Sequence, residues 1–173
     1  MNIGQFGCLV QECNMPVNTI IFPSGDGTGD FTAHGGPSTK WETVNSGIAT
    51  PFDATYLHRD NDEPYGSQFL GLEDLPSYFN TVASVSGIVR LRKETSSDEQ
   101  DITLQCFEAD GTTLLTYSSS KNLDGISHSN YDDYQFDLAL SGIGESNSED
   151  RHHGICAWED ALLKITTGAG SND

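Results

Sequence analysis

Carboxylates and imidazoles are concentrated in two polar runs that could hold a metal ion. Residues 58–63 read His-Arg-Asp-Asn-Asp-Glu, and Asp60 and Asp62 have the spacing that opens a calcium-binding loop. The glycine and closing glutamate of such a loop are missing at their places. Residues 149–153 read Glu-Asp-Arg-His-His, and adjacent histidines can grip one ion together only on a loop. We interpret both runs as solvated polar loops and predict no metal and no cofactor.

A glycine-rich run, residues 26–30, could bend its carbonyl oxygens around a cation. It reads Asp-Gly-Thr-Gly-Asp, and the same residues form a flexible turn without further assumption. Paired carboxylates for acid–base catalysis are uninformative in a chain with 26 Asp and Glu residues. The sequence also lacks a Gly-x-Ser-x-Gly nucleophile motif and a phosphate-binding glycine loop with lysine. We therefore predict that the protein is not an enzyme and has no catalytic residues.

The four cysteines do not have the spacing of a zinc site. They are Cys8, Cys13, Cys106 and Cys156. Cys8 and Cys13 are close in sequence but supply only two ligands, whereas a structural zinc ion needs four. Cys106 lies within an alternating pattern, where a small buried thiol is ordinary. Since we expect synthesis in a cytoplasm, free thiols are favoured over disulfides.

The charge balance excludes several classes of partner. In 173 residues, Lys plus Arg number 8 and Asp plus Glu number 26, which gives a net charge of −18. A negative field of this size repels phosphate backbones and anionic membrane surfaces, so we expect neither nucleic acid nor membrane as a partner. No apolar run approaches the roughly 20 residues of a membrane span. Residues 1–6 lack the basic start and apolar block of a signal peptide, and we expect none.

Alternating apolar and polar residues from Trp41 onward predict an all-β protein, an antiparallel β-sandwich of the jelly-roll kind. The predicted strands are 54–57, 68–72, 81–94, 102–106, 112–117, 136–140 and the second part of 158–165. Asp110 and Gly111 predict a hairpin turn. Residues 73–79 have the acidic residues and proline of a single helical turn. We assign residues 41–167 to one sandwich domain and 168–173 to a flexible tail.

Residues 1–40 are predicted to form an extended N-terminal arm. The glycine and proline density of 23–37 is typical of a loop, and Thr19–Phe22 is one candidate strand. The apolar residues of this region are too numerous for a solvated tail. We predict that they contact a partner: Ile3, Phe6, Leu9, Val10, Ile20, Ile21 and Phe22. The alternative is that Thr19–Phe22 forms the first strand of the chain's own sandwich.

Five segments follow one another in a characteristic order over residues 41–165. They are Trp-Glu-Thr-Val at 41–44, Thr-Tyr-Leu at 55–57, Phe-Leu-Gly-Leu-Glu-Asp-Leu-Pro at 69–76, Val-Ser-Gly-Ile-Val-Arg-Leu-Arg-Lys at 85–93 and Trp-Glu-Asp-Ala-Leu-Leu-Lys-Ile at 158–165. This order resembles that of jelly-roll virion proteins of tailed phages, of the capsid decoration or cement kind. Residues 1–40 have no counterpart in the resemblance.

The resemblance implies a non-enzymatic structural protein on the outer capsid surface of a bacteriophage virion, synthesised in the host cytoplasm. Its partners would be the major capsid protein and other copies of itself, often in a homotrimer. Two other functions stay open. A carbohydrate- or receptor-binding module of a tail or fibre would need exposed aromatic residues, although Trp41 and Trp158 are more typical of core anchors. A metal-dependent hydrolase would need three or four converging ligands.

Overall fold

The described part of the chain forms eleven strands and very little helix. The computed structural model describes residues 2–11, 18–35, 38–44, 56–58, 66–79, 82–92, 100–122, 130–141 and 155–169. The strands are β1 (Asn2–Gln11), β2 (Asn18–Ile21), β3 (Pro23–Gly29), β4 (Thr32–His34), β5 (Tyr56–His58), β6 (Gly66–Leu72), β7 (Ser84–Arg92), β8 (Gln100–Phe107), β9 (Ser119–Asn122), β10 (Asp132–Leu138) and β11 (Leu162–Ala169). The helices are α1 (Lys40–Val44) and a 3₁₀ turn (Ile155–Trp158).

The strands form two antiparallel sheets that pack against each other. The six-stranded sheet has the order β10-β7-β1-β5-β4, with β2 also paired to β1. The five-stranded sheet has the order β3-β6-β11-β8-β9. One apolar core contains residues of both sheets, so the predicted all-β sandwich is confirmed. No helix in the described part of the chain is long and apolar enough to cross a membrane.

Period-two alternation decides which side chains enter the core. On β7, Val85, Val89 and Leu91 are at most 3% exposed, while Arg90 on the other face is only half-buried. Each such aliphatic side chain contributes roughly 1.5–3 kcal/mol when it is fully buried. Trp158 is 1% exposed, so it anchors the core as its sequence context indicated.

The N-terminal region differs from the predicted arm with one candidate strand. Strand β1 lies between β7 on one side and β2 and β5 on the other. It pairs with β7 from Asn2–Arg92 to Gln11–Ser84, with one irregularity between Ile3 and Gln5. The described part of residues 1–40 supplies four strands, β1 to β4, to both sheets. Strand pairing uses backbone groups, so the glycine content of β3 did not prevent it.

Three other segments correct the sequence prediction. Residues 41–44, which lie outside the predicted strands, belong to helix α1. The Thr39 hydroxyl bonds the Glu42 carboxylate, and this Thr-x-x-Glu spacing is the capping-box signal of a helix start. Residues 119–122, which also lie outside the predicted strands, form β9 on the edge of the five-stranded sheet. Residues 168 and 169, predicted as tail, extend β11 along β8.

Two shorter segments have less regular secondary structure than the sequence predicted. The segment 112–117 forms no continuous strand, and it makes isolated bridges from Leu114 to Phe107 and from Thr116 to Leu140. The segment 73–79 forms no helix, although the Phe79 amide donates to the Pro76 carbonyl at 2.9 Å in a single turn.

Candidate binding pocket on the five-stranded sheet

The outward face of the five-stranded sheet brings side chains of three strands into rows. Lys164 on β11 lies between Phe69 on β6 and Gln105 on β8. Leu162, the preceding outward residue of β11, lies beside Gly71 of β6. A Cβ atom at Gly71 would lie 3.4 Å from the N and Cα atoms of Gly25, so the backbone of β3 lies close to this position. Strand β3 therefore approaches the outward face next to Phe69.

An aromatic pair lies on this face beside a cation. The rings of Phe69 and Phe107 meet edge to face, with centroids 5.6 Å apart and an interplanar angle of 66°. The Lys164 ammonium lies 5.3 Å from the Phe69 ring centroid and 6.0 Å from that of Phe107. A cation within about 6 Å of an aromatic face is attracted by the ring quadrupole. On the outward face, the Lys164 ammonium group is thus in contact with the rings of Phe69 and Phe107.

A pocket of about 340 Å³ opens beside Phe69. Its lining comes from β3, from the outward face of the sheet and from the turn after β8: Gly27, Thr28, Phe69, Asp110, Gly111 and Leu162. Pockets that bind small ligands measure roughly 300–1,000 Å³ and combine an apolar lining with a few polar groups. Phe69 and Leu162 provide the apolar surface here, and Asp110 provides a carboxylate.

The β3 wall of the pocket depends on a glycine. A Cβ atom at Gly27 would lie 2.6 Å from the Phe69 Cβ and 2.8 Å from the Phe69 carbonyl oxygen. Real Cβ atoms do not approach other heavy atoms so closely. Only glycine therefore lets the β3 backbone approach Phe69 and close this side of the pocket.

The opposite wall is the predicted Asp-Gly turn. The Gly111 amide donates to the Glu108 carbonyl, and the Glu108 amide donates to the Thr113 carbonyl, each at 2.9 Å. Gly111 has φ of 68°, in the left-handed region that glycine adopts without steric cost. A Cβ at this position would lie 3.6 Å from Leu162 Cδ1, so the turn stands directly beside the sheet.

Asp110 is held in one orientation by its own turn. Its Oδ1 accepts hydrogen bonds from the backbone amides of Thr112 and Thr113 at 2.8 Å, and its Oδ2 accepts one from the Thr113 hydroxyl at 2.7 Å. The Thr113 hydroxyl, followed by the two amides, holds the pKa of Asp110 far below its ordinary value of 3.8. The pocket rim therefore carries a fixed negative charge.

One carbonyl oxygen of the glycine-rich run 26–30, that of Gly29, contacts a cation, and that cation is a lysine of the same chain. Lys40 Nζ donates to the Gly29 carbonyl at 2.9 Å and to Gln68 Oε1 at 2.6 Å. The Gln68 side-chain amide donates to the Gly27 carbonyl at 3.0 Å. These bonds attach β3 to β6 and α1, so the carbonyl groups serve the fold.

The seven residues predicted to contact a partner do not form one group. Ile3, Phe6, Leu9 and Val10 lie on β1, whose backbone pairs with β7. Ile21 is 3% exposed and belongs to the core, and β2, on which it lies, is part of the six-stranded sheet.

The other two members of the predicted set lie nearer the surface. Ile20 is 49% exposed. Phe22 is half-buried, and its amide donates to Glu73 Oε2 at 3.1 Å.

The two polar runs suggested as metal sites lie outside the described residues, apart from His58 on β5. Among the residues that the structure describes, no group of three or more His, Cys, Asp or Glu side chains could hold a metal ion. Cys106 is a free, buried thiol and Cys156 a free, exposed one. Cys13 also lies outside the described residues, and Cys8 lies on β1.

The sequence contained a signal for the pocket that the strand assignment overlooked. Along 68–72, one face carries Gln68 with two leucines, and the other carries Phe69 and Gly71. The structure buries the face with the glutamine and turns Phe69 outward. The alternation thus indicated that Phe69 lies on the outward face, where an aromatic ring can contact a ligand. The sequence did not indicate that Asp110 would line the pocket, because the turn that carries it comes close to Phe69 of β6 only in the folded protein.

Comparisons with known proteins found no relative of this chain. No protein-family model matches it, no curated protein matches it and no solved structure matches it. A function must therefore be argued from the chain's own residues and from the order of its sequence segments.

Proposed function

We propose that this chain is a non-enzymatic capsid decoration, or cement, protein of a tailed phage. It binds the outer surface of the assembled coat-protein shell, and it stabilises that shell. Its partners are the major capsid protein and other copies of itself in a trimer. It is made in the host cytoplasm and resides on the outside of the virion.

One structural observation carries the proposal. Two of the five segments that carry the resemblance, 69–76 and 158–165, lie side by side through the pairing of β6 with β11. The Leu72 amide donates to the Ala161 carbonyl at 2.8 Å, and the Asp160 amide donates to Asp74 Oδ1 at 3.1 Å. Two segments that are far apart in sequence are thus joined by strand pairing and by hydrogen bonds. We expect such contacts if the two segments occur in the same chain because they belong to one fold.

Mass action explains how such a protein would stabilise a shell. A protein that binds the assembled shell more tightly than the free coat subunits shifts the equilibrium towards assembly. Individual contacts can be weak, because simultaneous contacts to several subunits multiply the effective affinity. The net charge of −18 keeps many closely spaced copies solvated.

The second candidate function is a carbohydrate- or receptor-binding module of a tail or fibre. Its support is the exposure of Tyr78 and Tyr117, at 60% and 54% of their surfaces. Exposed tyrosines provide flat apolar rings with a polar tip, as sugar stacking requires. Trp158 does not contribute to such a surface because it is buried.

Particles that lack this protein test the proposal. They should assemble, yet rupture at lower temperature or under milder osmotic shock than complete particles. Adding the purified protein back to these particles should restore their resistance, and this addition is the matched control for indirect effects on assembly. Particles of full stability that no longer attach to the host would instead support the tail or fibre function.

A further inference from the structure

We propose that the pocket beside Phe69 receives a basic side chain, arginine or lysine, of the partner protein. This inference rests on the proposed function and identifies one contact through which the chain would bind the shell. The pocket has an apolar surface next to a fixed carboxylate. A long basic side chain matches both, because it has an aliphatic stem that ends in a positive charge.

The apolar part of the pocket suits the aliphatic stem of such a side chain. Phe69 and Leu162 are half-buried, so each leaves carbon surface open to a ligand. The chain provides its own example of this contact, since the Lys164 ammonium lies 5.3 Å from the Phe69 ring centroid. Lys164 is not part of the pocket lining, so the opening is not filled by it.

The carboxylate favours a cation over a sugar. Asp110 already accepts three hydrogen bonds, from the Thr112 amide, the Thr113 amide and the Thr113 hydroxyl. The Thr112 hydroxyl also interacts with this carboxylate, so the turn itself uses most of its roughly four lone-pair positions. A neutral sugar hydroxyl would have to compete for these positions, whereas a charged N–H donor also gains from the negative charge.

The net negative charge of the chain also favours a basic group as the ligand. With 26 acidic and 8 basic residues, the protein attracts cationic groups and repels anionic ones. Asp110 stands in solvent at the rim, where water weakens ion pairs, so a single contact of this kind is weak. Weak contacts of this type hold a protein on a shell when they recur on many subunits.

The pocket can be tested on the isolated protein by an NMR titration with Nα-acetyl-arginine methylamide. We expect saturable shifts at the amides of Gly27, Gly111 and Thr112. The neutral probe Nα-acetyl-glutamine methylamide should produce much smaller shifts. Asp110→Asn should weaken binding of the arginine probe about two- to fivefold, the effect of one exposed ion pair. Asparagine can keep both backbone-amide bonds through its Oδ1, and its side-chain NH2 can donate to the Thr113 hydroxyl, so this variant removes the charge with little change in shape.

Leu162→Ala is a second variant, which removes apolar surface and leaves the charge. It should also weaken binding of the arginine probe, whereas Ser86→Ala on the other sheet should not. The proposal is overturned if the arginine and glutamine probes shift the same amides equally, or if neither shifts them. A saturable response to methyl α-glucopyranoside without one to the arginine probe would make the pocket a sugar site and would also overturn it.

The outcome can be separated from that of the proposed function. Sedimentation of the protein with shells that lack it tests shell binding, and the probe titration tests the pocket. Wild-type protein that binds the arginine probe but not shells would refute the cement function alone. Asp110→Asn protein that binds shells as tightly as the wild type would refute the pocket as a shell contact and leave the cement function standing.

Discussion

Lys40 and Gln68 are joined by a hydrogen bond of 2.6 Å between Nζ and Oε1. Gln68 is completely buried, and its amide also donates to the Gly27 carbonyl at 3.0 Å and to the Phe69 carbonyl at 2.6 Å. A buried amide is tolerated only when its donors and acceptor are satisfied. This one links helix α1, strand β3 and strand β6, and so it supports the β3 wall of the pocket.

Replacing Gln68 with leucine should lower the free energy of unfolding by about 1–3 kcal/mol, because the Gly27 carbonyl and the Lys40 ammonium lose a partner. Equilibrium unfolding in urea measures the change. Gln135→Leu is the matched control, since Gln135 is exposed on β10 and its replacement should stay within about 0.5 kcal/mol. Equal effects of the two substitutions would show that the Gln68 bonds do not stabilise the fold.

Two glycines of β3 should respond differently to alanine. A Cβ at Gly27 would meet the Phe69 Cβ at 2.6 Å, whereas a Cβ at Gly25 would meet nothing within 4 Å. We expect Gly27→Ala to cost about 1–3 kcal/mol of stability through overpacking. Gly25→Ala should be neutral or stabilise by roughly 0.4–1 kcal/mol, since it restricts the unfolded chain. Thermal unfolding of both variants checks the pair, and a Gly27→Ala protein as stable as the wild type would contradict the close approach.

Asp110 should stay ionised in acid when ordinary aspartates become protonated. Its pKa is lowered in the folded protein from 3.8, chiefly by the Thr113 hydroxyl. A lowered folded-state pKa means that the carboxylate stabilises the fold above about pH 3.8, and that this contribution is lost as the pH falls towards the folded pKa. Carbon-13 NMR of the side-chain carboxyl group follows the titration. Thr113→Ala should raise the pKa of Asp110, and no change in that variant would assign the shift to another cause.

Deletion of residues 1–17 should unfold the protein. The deletion removes β1, which pairs with β7 and also with β2 and β5, so the six-stranded sheet would lose an internal strand. Circular dichroism and heteronuclear NMR of the truncated chain would report the loss of structure. Ile20→Ser, at a half-exposed position of β2, should leave the fold intact. A truncated chain with an unchanged melting temperature would restore the hypothesis of a detachable arm.

The sequence alone determined the fold class and the orientation of several strands. The alternation at Val85, Val89 and Leu91, and again at Ile102, Leu104 and Cys106, correctly separates buried from outward residues. This success has a local cause. Successive side chains of a strand point to opposite faces, so a few neighbouring residues contain the whole pattern. The Asp-Gly turn was predictable because its signal is also local: within the turn, Gly111 provides the left-handed backbone.

Only the tertiary structure decided where the N-terminal strands belong. Strands β1 and β3 have little local signal, and each is fixed by a partner far away in sequence, β7 and β6 respectively. Backbone pairing of this kind depends on which strands the fold brings together and not on the side chains of one strand. The prediction of an arm relied on the glycine and proline content of this region. The structure of the region depends instead on pairing with strands that are distant in sequence.

The pocket likewise belongs to the tertiary structure. Gly27, Phe69 and Asp110 come from β3, from β6 and from the turn after β8, and no spacing in the sequence relates them. Their chemistry was visible in the chain as an aromatic residue, a glycine and a carboxylate. Their convergence required the register between β6 and β11 and the close approach of β3, since a binding site depends on distances in space that a linear pattern does not contain.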